Sequence, residues 1–66
     1  MDDTSIVTVM SDGKYIAQLS WQTYLRIHGA ALNESTKLDL RDRLAKQGAA
    51  TVDNRGKLHT LRVVRH

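Results

Sequence analysis

Arg55, Lys57, His59, Arg62, Arg65 and His66 crowd the stretch 55–66 of a 66-residue chain, and such cations can neutralise phosphate. Arg55 and Lys57 fall at an expected turn and the others along an expected last strand, so together they describe a basic β-ribbon. A two-stranded ribbon fits the major groove of duplex DNA, and each phosphate it neutralises releases counterions. The same charges also suit an edge strand that is protected from aggregation. Lys37 and Arg41 extend the set upstream, on a helix arc that also holds leucines. The candidate phosphate contacts are therefore Lys37, Arg41, Arg55, Lys57, Arg62 and Arg65.

Charge is unevenly divided along the chain. Residues 1–36 carry two cations, Lys14 and Arg26, against Asp2, Asp3, Asp12 and Glu34, whereas residues 37–66 carry eight cations against Asp39, Asp42 and Asp53. A basic half on a small domain points toward a polyanionic partner. Stacking on single-stranded bases needs exposed rings, and Tyr15, Trp21 and Tyr24 are expected in the core, which favours duplex backbone as the ligand.

Other chemistries find little in this sequence. There is no cysteine, which removes thiolate catalysis, thiolate metal sites and disulfides. Ser11, Ser20 and Ser35 sit where turns and caps need hydroxyls, and Gly13, Gly29, Gly48 and Gly56 are too scattered for a phosphate loop. His28 lies mid-arc on an apolar helix face, where a partly buried, hydrogen-bonded histidine is the expectation; no second ligand stands at metal-binding spacing. The reading is a protein without enzyme activity, metal or cofactor.

The elements that position these residues follow from punctuation and periodicity. Asp12-Gly13 between Ile6–Met10 and Tyr15–Leu19 predicts a tight hairpin. With those two residues as the loop, Ile6 faces Leu19 and Met10 faces Tyr15. Ile6, Thr8, Met10, Tyr15, Ala17 and Leu19 then share one face, expected to be the core side. Ser20 caps a helix from Trp21 to about Leu32, with Asn33 as its stop and a weak point at Gly29. Its apolar arc is Trp21, Tyr24, Leu25, Ile27, His28, Ala31 and Leu32.

Thr36 with Asp39 reads as an acidic capping box that opens a second helix, closed by Gly48. Leu38, Leu40, Leu44 and Ala45 mark its buried arc. Asp39 to Arg43 and Asp42 to Lys46 are i,i+4 pairs in the favourable orientation, whereas Lys37 and Arg41 have no obvious partner. Ala49–Val52 and Leu58–Val64 form a second hairpin around Asp53-Asn54-Arg55-Gly56. The fold class is α+β: hairpin, two helices, hairpin, with the helices packed on a small antiparallel sheet in a single domain over 1–66.

Over roughly the C-terminal half of the chain, residues 32–35, the helix after them and the basic hairpin resemble, in order of elements, winged-helix DNA-binding domains, in which a recognition helix is followed by a two-stranded wing. That resemblance implies recognition-helix positions for Lys37 and Arg41 and wing positions for Arg55 and Lys57. The stretch from Leu32 to Gly48 is short for the pattern, and a hairpin stands where a first helix is expected.

The function expected is a cytoplasmic nucleic-acid-binding regulatory or accessory protein, contacting duplex DNA through the basic hairpin. So small a core, without disulfides, also leads us to expect a homodimer. The alternative is a small protein-interaction module or inhibitor, of phage or plasmid type, using an acidic partner surface or an apolar patch at Val7, Val9 and Ile16. An acidic N-terminus and the lack of a long apolar run predict neither a signal peptide nor a membrane span.

Overall fold

A computed structural model describes residues 1–65. Two hairpins flank two helices: β1 (Ile6–Ser11), β2 (Lys14–Ser20), α1 (Trp21–His28), a 3₁₀ turn (Gly29–Ala31), α2 (Glu34–Gln47), β3 (Ala49–Asn54) and β4 (Lys57–Val63). All four strands join one antiparallel sheet in the order β2-β1-β4-β3. Both helices cover one face of it, so the architecture is the α+β arrangement expected. The second hairpin is not a free wing, because β4 pairs with β1 from Val7↔Val63 to Ser11↔His59.

The core lies between the helices and that covered face. Val7 and Val9 of β1, Leu61 of β4, Trp21 and Tyr24 of α1, Leu32, and Leu40 and Leu44 of α2 are all buried. Leu19, Leu25, Ala50, Val52 and Val63 pack around them.

The expected face of the first hairpin is half wrong, and a β-bulge is the reason. Val9 pairs with Ala17 and Met10 with Tyr15, leaving Ile16 as an extra residue without a partner on β1. An extra residue reverses the face of everything beyond it. Val7 and Val9 therefore share the core side with Ala17 and Leu19, while Ile6, Thr8, Met10 and Tyr15 occupy the open side. Ile6 pairs with Ser20 rather than Leu19, and Tyr15, expected in the core, is 64% exposed.

Both hairpin turns have two residues. Asp12 (φ 50°) with Gly13 (φ 85°), and Arg55 (φ 56°) with Gly56 (φ 82°), have the paired positive φ that matches strand twist. β3 thus runs through Asp53 and Asn54, which the sequence reading had placed in the turn. The turns are also joined: Asp12 donates its amide to Leu58 O, and its Oδ1 accepts from Leu58 N, each at 2.9 Å.

Ser20 caps α1 as expected, accepting from Thr23 N at 3.1 Å. The α-helix ends at His28 and continues only as the 3₁₀ turn, in keeping with the weak point at Gly29. On α2 the cap is Asn33, whose Oδ1 accepts from Thr36 N at 2.8 Å, so the helix starts at Glu34 and the Thr36–Asp39 box does not form its end. Gly48 (φ 79°) closes it. The buried stripe is narrower than expected: Leu40 and Leu44 are buried, whereas Ala45 is exposed and Leu38 is 66% exposed. No helix among the described residues is long and apolar enough to cross a membrane.

Candidate anion-binding cleft

The antiparallel order brings both hairpin turns to one end of the sheet, and the C-terminal end of α1 reaches the same place. Asn54 Nδ2 donates to the His28 carbonyl at 3.0 Å and fixes the helix end against the second turn. Between them lies a cleft of about 310 Å³ lined by Ser11, Ile16, Ile27, His28, Asn54, Arg55, Lys57 and His59. Among the described residues, two permanent cations and two imidazoles line it and no carboxylate does.

The buried imidazole of His59 builds its floor, with the Tyr24 hydroxyl behind it. His59 alternates with Leu61 and Val63 on β4, which turns it inward, and it is 4% exposed. Its Nδ1 lies 3.1 Å from the buried Tyr24 hydroxyl. With that hydroxyl as donor, the neutral ring carries its proton on Nε2. Burial pushes the imidazole below its ordinary pKa of 6.5, and nearby His28 and Lys57 act the same way, with Asp12 opposing. Burial likewise raises the Tyr24 hydroxyl, with Asn54 acting against it.

His28 is half-buried, as expected, and packs against two rings: its centroid is 5.2 Å from that of Tyr24 and 5.2 Å from that of His59, the two imidazoles meeting edge-on at 83°. The hydrogen bond recorded there uses its carbonyl. Among the described residues no group of three or more metal-ligating side chains gathers.

The six sequence-predicted cations do not form one surface. Arg55 and Lys57 meet at the cleft. Arg62 pairs with Thr8 and Ala49 on the open side of the sheet and is exposed there. The Arg65 guanidinium lies 3.5 Å from the point where a β-carbon on Gly48 would stand, at the carbonyl end of α2, which attracts cations. Lys37, expected unpaired, bonds Glu34 at 3.2 Å, and Arg41 donates to Met1 O at 3.2 Å. Asp39–Arg43 at 3.1 Å and Asp42–Lys46 at 3.2 Å are the helix pairs expected. None of the ion pairs among the described residues engages Arg55 or Lys57. His59, counted among the ribbon cations from sequence, belongs to the cleft floor; His66 lies outside the described residues.

Tyr24, Asn54 and Ser11 join the site without having been expected there from sequence, and His28, expected to be solitary, has a second imidazole beside it. One signal was available: His59 shares the strand phase of Leu61 and Val63, which marks it as inward-facing. Compared with family models, curated proteins and solved structures, the chain finds no match in any of the three.

Proposed function

We propose that this chain is a non-enzymatic nucleic-acid-binding module that grips phosphate at the turn end of its sheet. The observation that supports this reading is the convergence of Arg55 and Lys57, neither held by an acid among the described residues, on a cleft that none of the described carboxylates lines. The nearest turn acids are occupied by backbone amides: Asp12 Oδ1 accepts from Leu58 N and Asp53 Oδ1 from Gly56 N, both at 2.9 Å. Neither acid forms an ion pair with Arg55 or Lys57 among the described residues, so both cations are open to an external anion. Arg62 and Arg65, elsewhere on the molecule, supply background charge rather than a continuous track. The exposed ring of Tyr15 removes the sequence-based reason for preferring duplex over single strand, since a stacking platform is present.

Fluorescence anisotropy with labelled duplex and single-stranded oligonucleotides across a salt series tests this. Binding should weaken with salt by a logarithmic slope of about −0.9 per phosphate contact on duplex. Arg55→Ala with Lys57→Ala should remove most of the affinity, and Arg62→Ala should remove less. Salt-independent binding, or equal losses from both changes, would defeat the proposal.

A second reading, a protein-interaction module or a homodimer, is favoured by the open sheet face. The patch imagined at Val7, Val9 and Ile16 does not exist, because both valines are buried under the helices. Ile6, Tyr15 and Leu58 are instead exposed on the uncovered side, with Met10 between Tyr15 and Thr60. Apolar side chains on an uncovered face can serve association. Sedimentation of the wild type beside Tyr15→Ser with Leu58→Ser tests this: a dimer that the double change dissociates would support it, and a monomer at all concentrations would remove the homodimer.

A further inference from the structure

We propose that the cleft is a nucleotide pocket that holds a terminal phosphate, the phosphomonoester of a strand end or of a free mononucleotide, rather than a groove that follows internal phosphodiesters. The inference rests on the nucleic-acid reading for its ligand class and goes beyond it in naming which phosphate is bound.

Shape is the first argument. A duplex backbone is tracked by an extended basic surface, whereas here the donors line a concavity formed by α1, β2, the second turn and the adjoining ends of β1, β3 and β4. A terminal phosphate can enter such a recess because only one of its oxygens is esterified onward. It also carries up to one more negative charge than a diester.

Chemistry is the second. Arg55 offers a planar fork of donors and Lys57 a mobile ammonium, the two groups that proteins most often aim at phosphate. His59, where its Nδ1 accepts from the Tyr24 hydroxyl, has Nε2 as a donor on its other edge. His28 lines the same cleft beside it, with its ring edge-on to that of His59. Both imidazoles are held by ring packing, so that part of the lining is organised before a ligand arrives.

The apolar part of the lining is the third. Ile16 and Ile27 line the cleft yet are 45% and 53% exposed. Ile16 is the extra residue of the bulge, and it lines the cleft together with Ile27 of α1. A phosphate-only site has no use for an apolar wall. A sugar and base attached to the phosphate do, and a cleft of about 310 Å³ has room for a group of that size.

The test uses the full chain and a short oligonucleotide labelled at its 3′ end, bearing either a 5′-phosphate or a 5′-hydroxyl, with AMP and adenosine followed separately by NMR of the histidine rings. Arg62→Ala serves as a charge control, and circular dichroism checks that the Arg55→Ala, Lys57→Ala variant is folded. The phosphorylated end should bind roughly tenfold more tightly, through added charge-assisted hydrogen bonds. The double variant should erase that preference and the control should keep it. AMP, but not adenosine, should shift the His28 and His59 resonances. Equal affinity for both ends, with no AMP shift, overturns the pocket while salt-dependent binding leaves the nucleic-acid reading standing. AMP shifts without binding of either oligonucleotide would support the pocket, identify the free nucleotide as its source and overturn the nucleic-acid reading. No response to any probe overturns both.

Discussion

The Tyr24 hydroxyl lies 3.1 Å from Nδ1 of His59, a buried bond between residues 35 positions apart that ties α1 to β4. It is a tertiary contact between two polar groups in an otherwise apolar core, and it fixes the ring that floors the cleft. Tyr24→Phe keeps the packing and deletes the oxygen, leaving Nδ1 without its partner. The expected loss is about 1–3 kcal/mol, the cost of an unsatisfied buried group. Urea denaturation measures it, and nitrogen chemical shifts of His59 should report a changed tautomer population. An unchanged midpoint would mean that water or a neighbour replaces the hydroxyl.

The same histidine predicts an acid-sensitive fold. Burial, followed by His28, lowers the folded-state pKa of His59 below its ordinary 6.5, so between the two values the unfolded chain binds more protons than the native one. Stability is then fully present above about pH 6.5 and is lost as pH falls through the folded pKa. His28, Lys57, Asp12 and Tyr24 all face this ring, and Asp12 alone among them opposes the shift through its charge. Asp2, lowered by its hydrogen bonds from Thr4, acts in a separate window below the ordinary carboxylate value of 3.8. Denaturation midpoints at pH 7.5 and pH 5 in the wild type and in His59→Gln should show a drop in the first and a flatter profile in the second. A parallel drop in both would assign the sensitivity elsewhere.

What the sequence disclosed were the features written into single residues or fixed spacings. Ser20 before Trp21, Gly48 after Gln47, Asp12-Gly13 and the two i,i+4 pairs on α2 each have one dominant local solution, and the fold adopts it. The faces of β1 were not legible, because Ile6-Val7-Thr8-Val9-Met10 is apolar or β-branched in both phases. Only the bulge at Ile16 decides between them, and a bulge leaves no mark in composition. The cleft was hidden for another reason: His28, Asn54 and His59 become neighbours only after β4 pairs with β1 and α1 folds across the sheet. Asn33 was misread because a good helix stop and a good helix cap can be the same residue.

That cap gives a direct prediction. Asn33 Oδ1 accepts from Thr36 N at 2.8 Å and also from the Ser35 hydroxyl at 3.1 Å, whereas Asp39 spends its carboxylate on Arg43. Asn33→Ala should therefore cost about 1 kcal/mol. Asp39→Ala should cost only the surface pair, about 0.3–0.5 kcal/mol. Thermal denaturation of the two single variants orders them; a larger loss at Asp39 would restore the capping box.

Arg55 sits in the left-handed region at φ 56°, where a side chain with a β-carbon is strained by roughly 1–2 kcal/mol. Glycine, asparagine or aspartate is the usual occupant of the first position in this turn, as Asp12 is in the other hairpin. The guanidinium also has no acid partner among the described ion pairs to offset that strain, and it lines the cleft. An unfavourable conformation at a candidate ligand contact has the pattern of stability given up for binding. Arg55→Gly should raise stability by about 1 kcal/mol or less, because glycine's extra freedom in the unfolded chain offsets part of the relief. It should also weaken oligonucleotide binding, whereas Arg55→Asn should stabilise with the same loss of affinity. Paired denaturation and anisotropy measurements on the two variants decide the matter: a stabilised protein that still binds as tightly as wild type would show that Arg55 is a strained turn residue and no more.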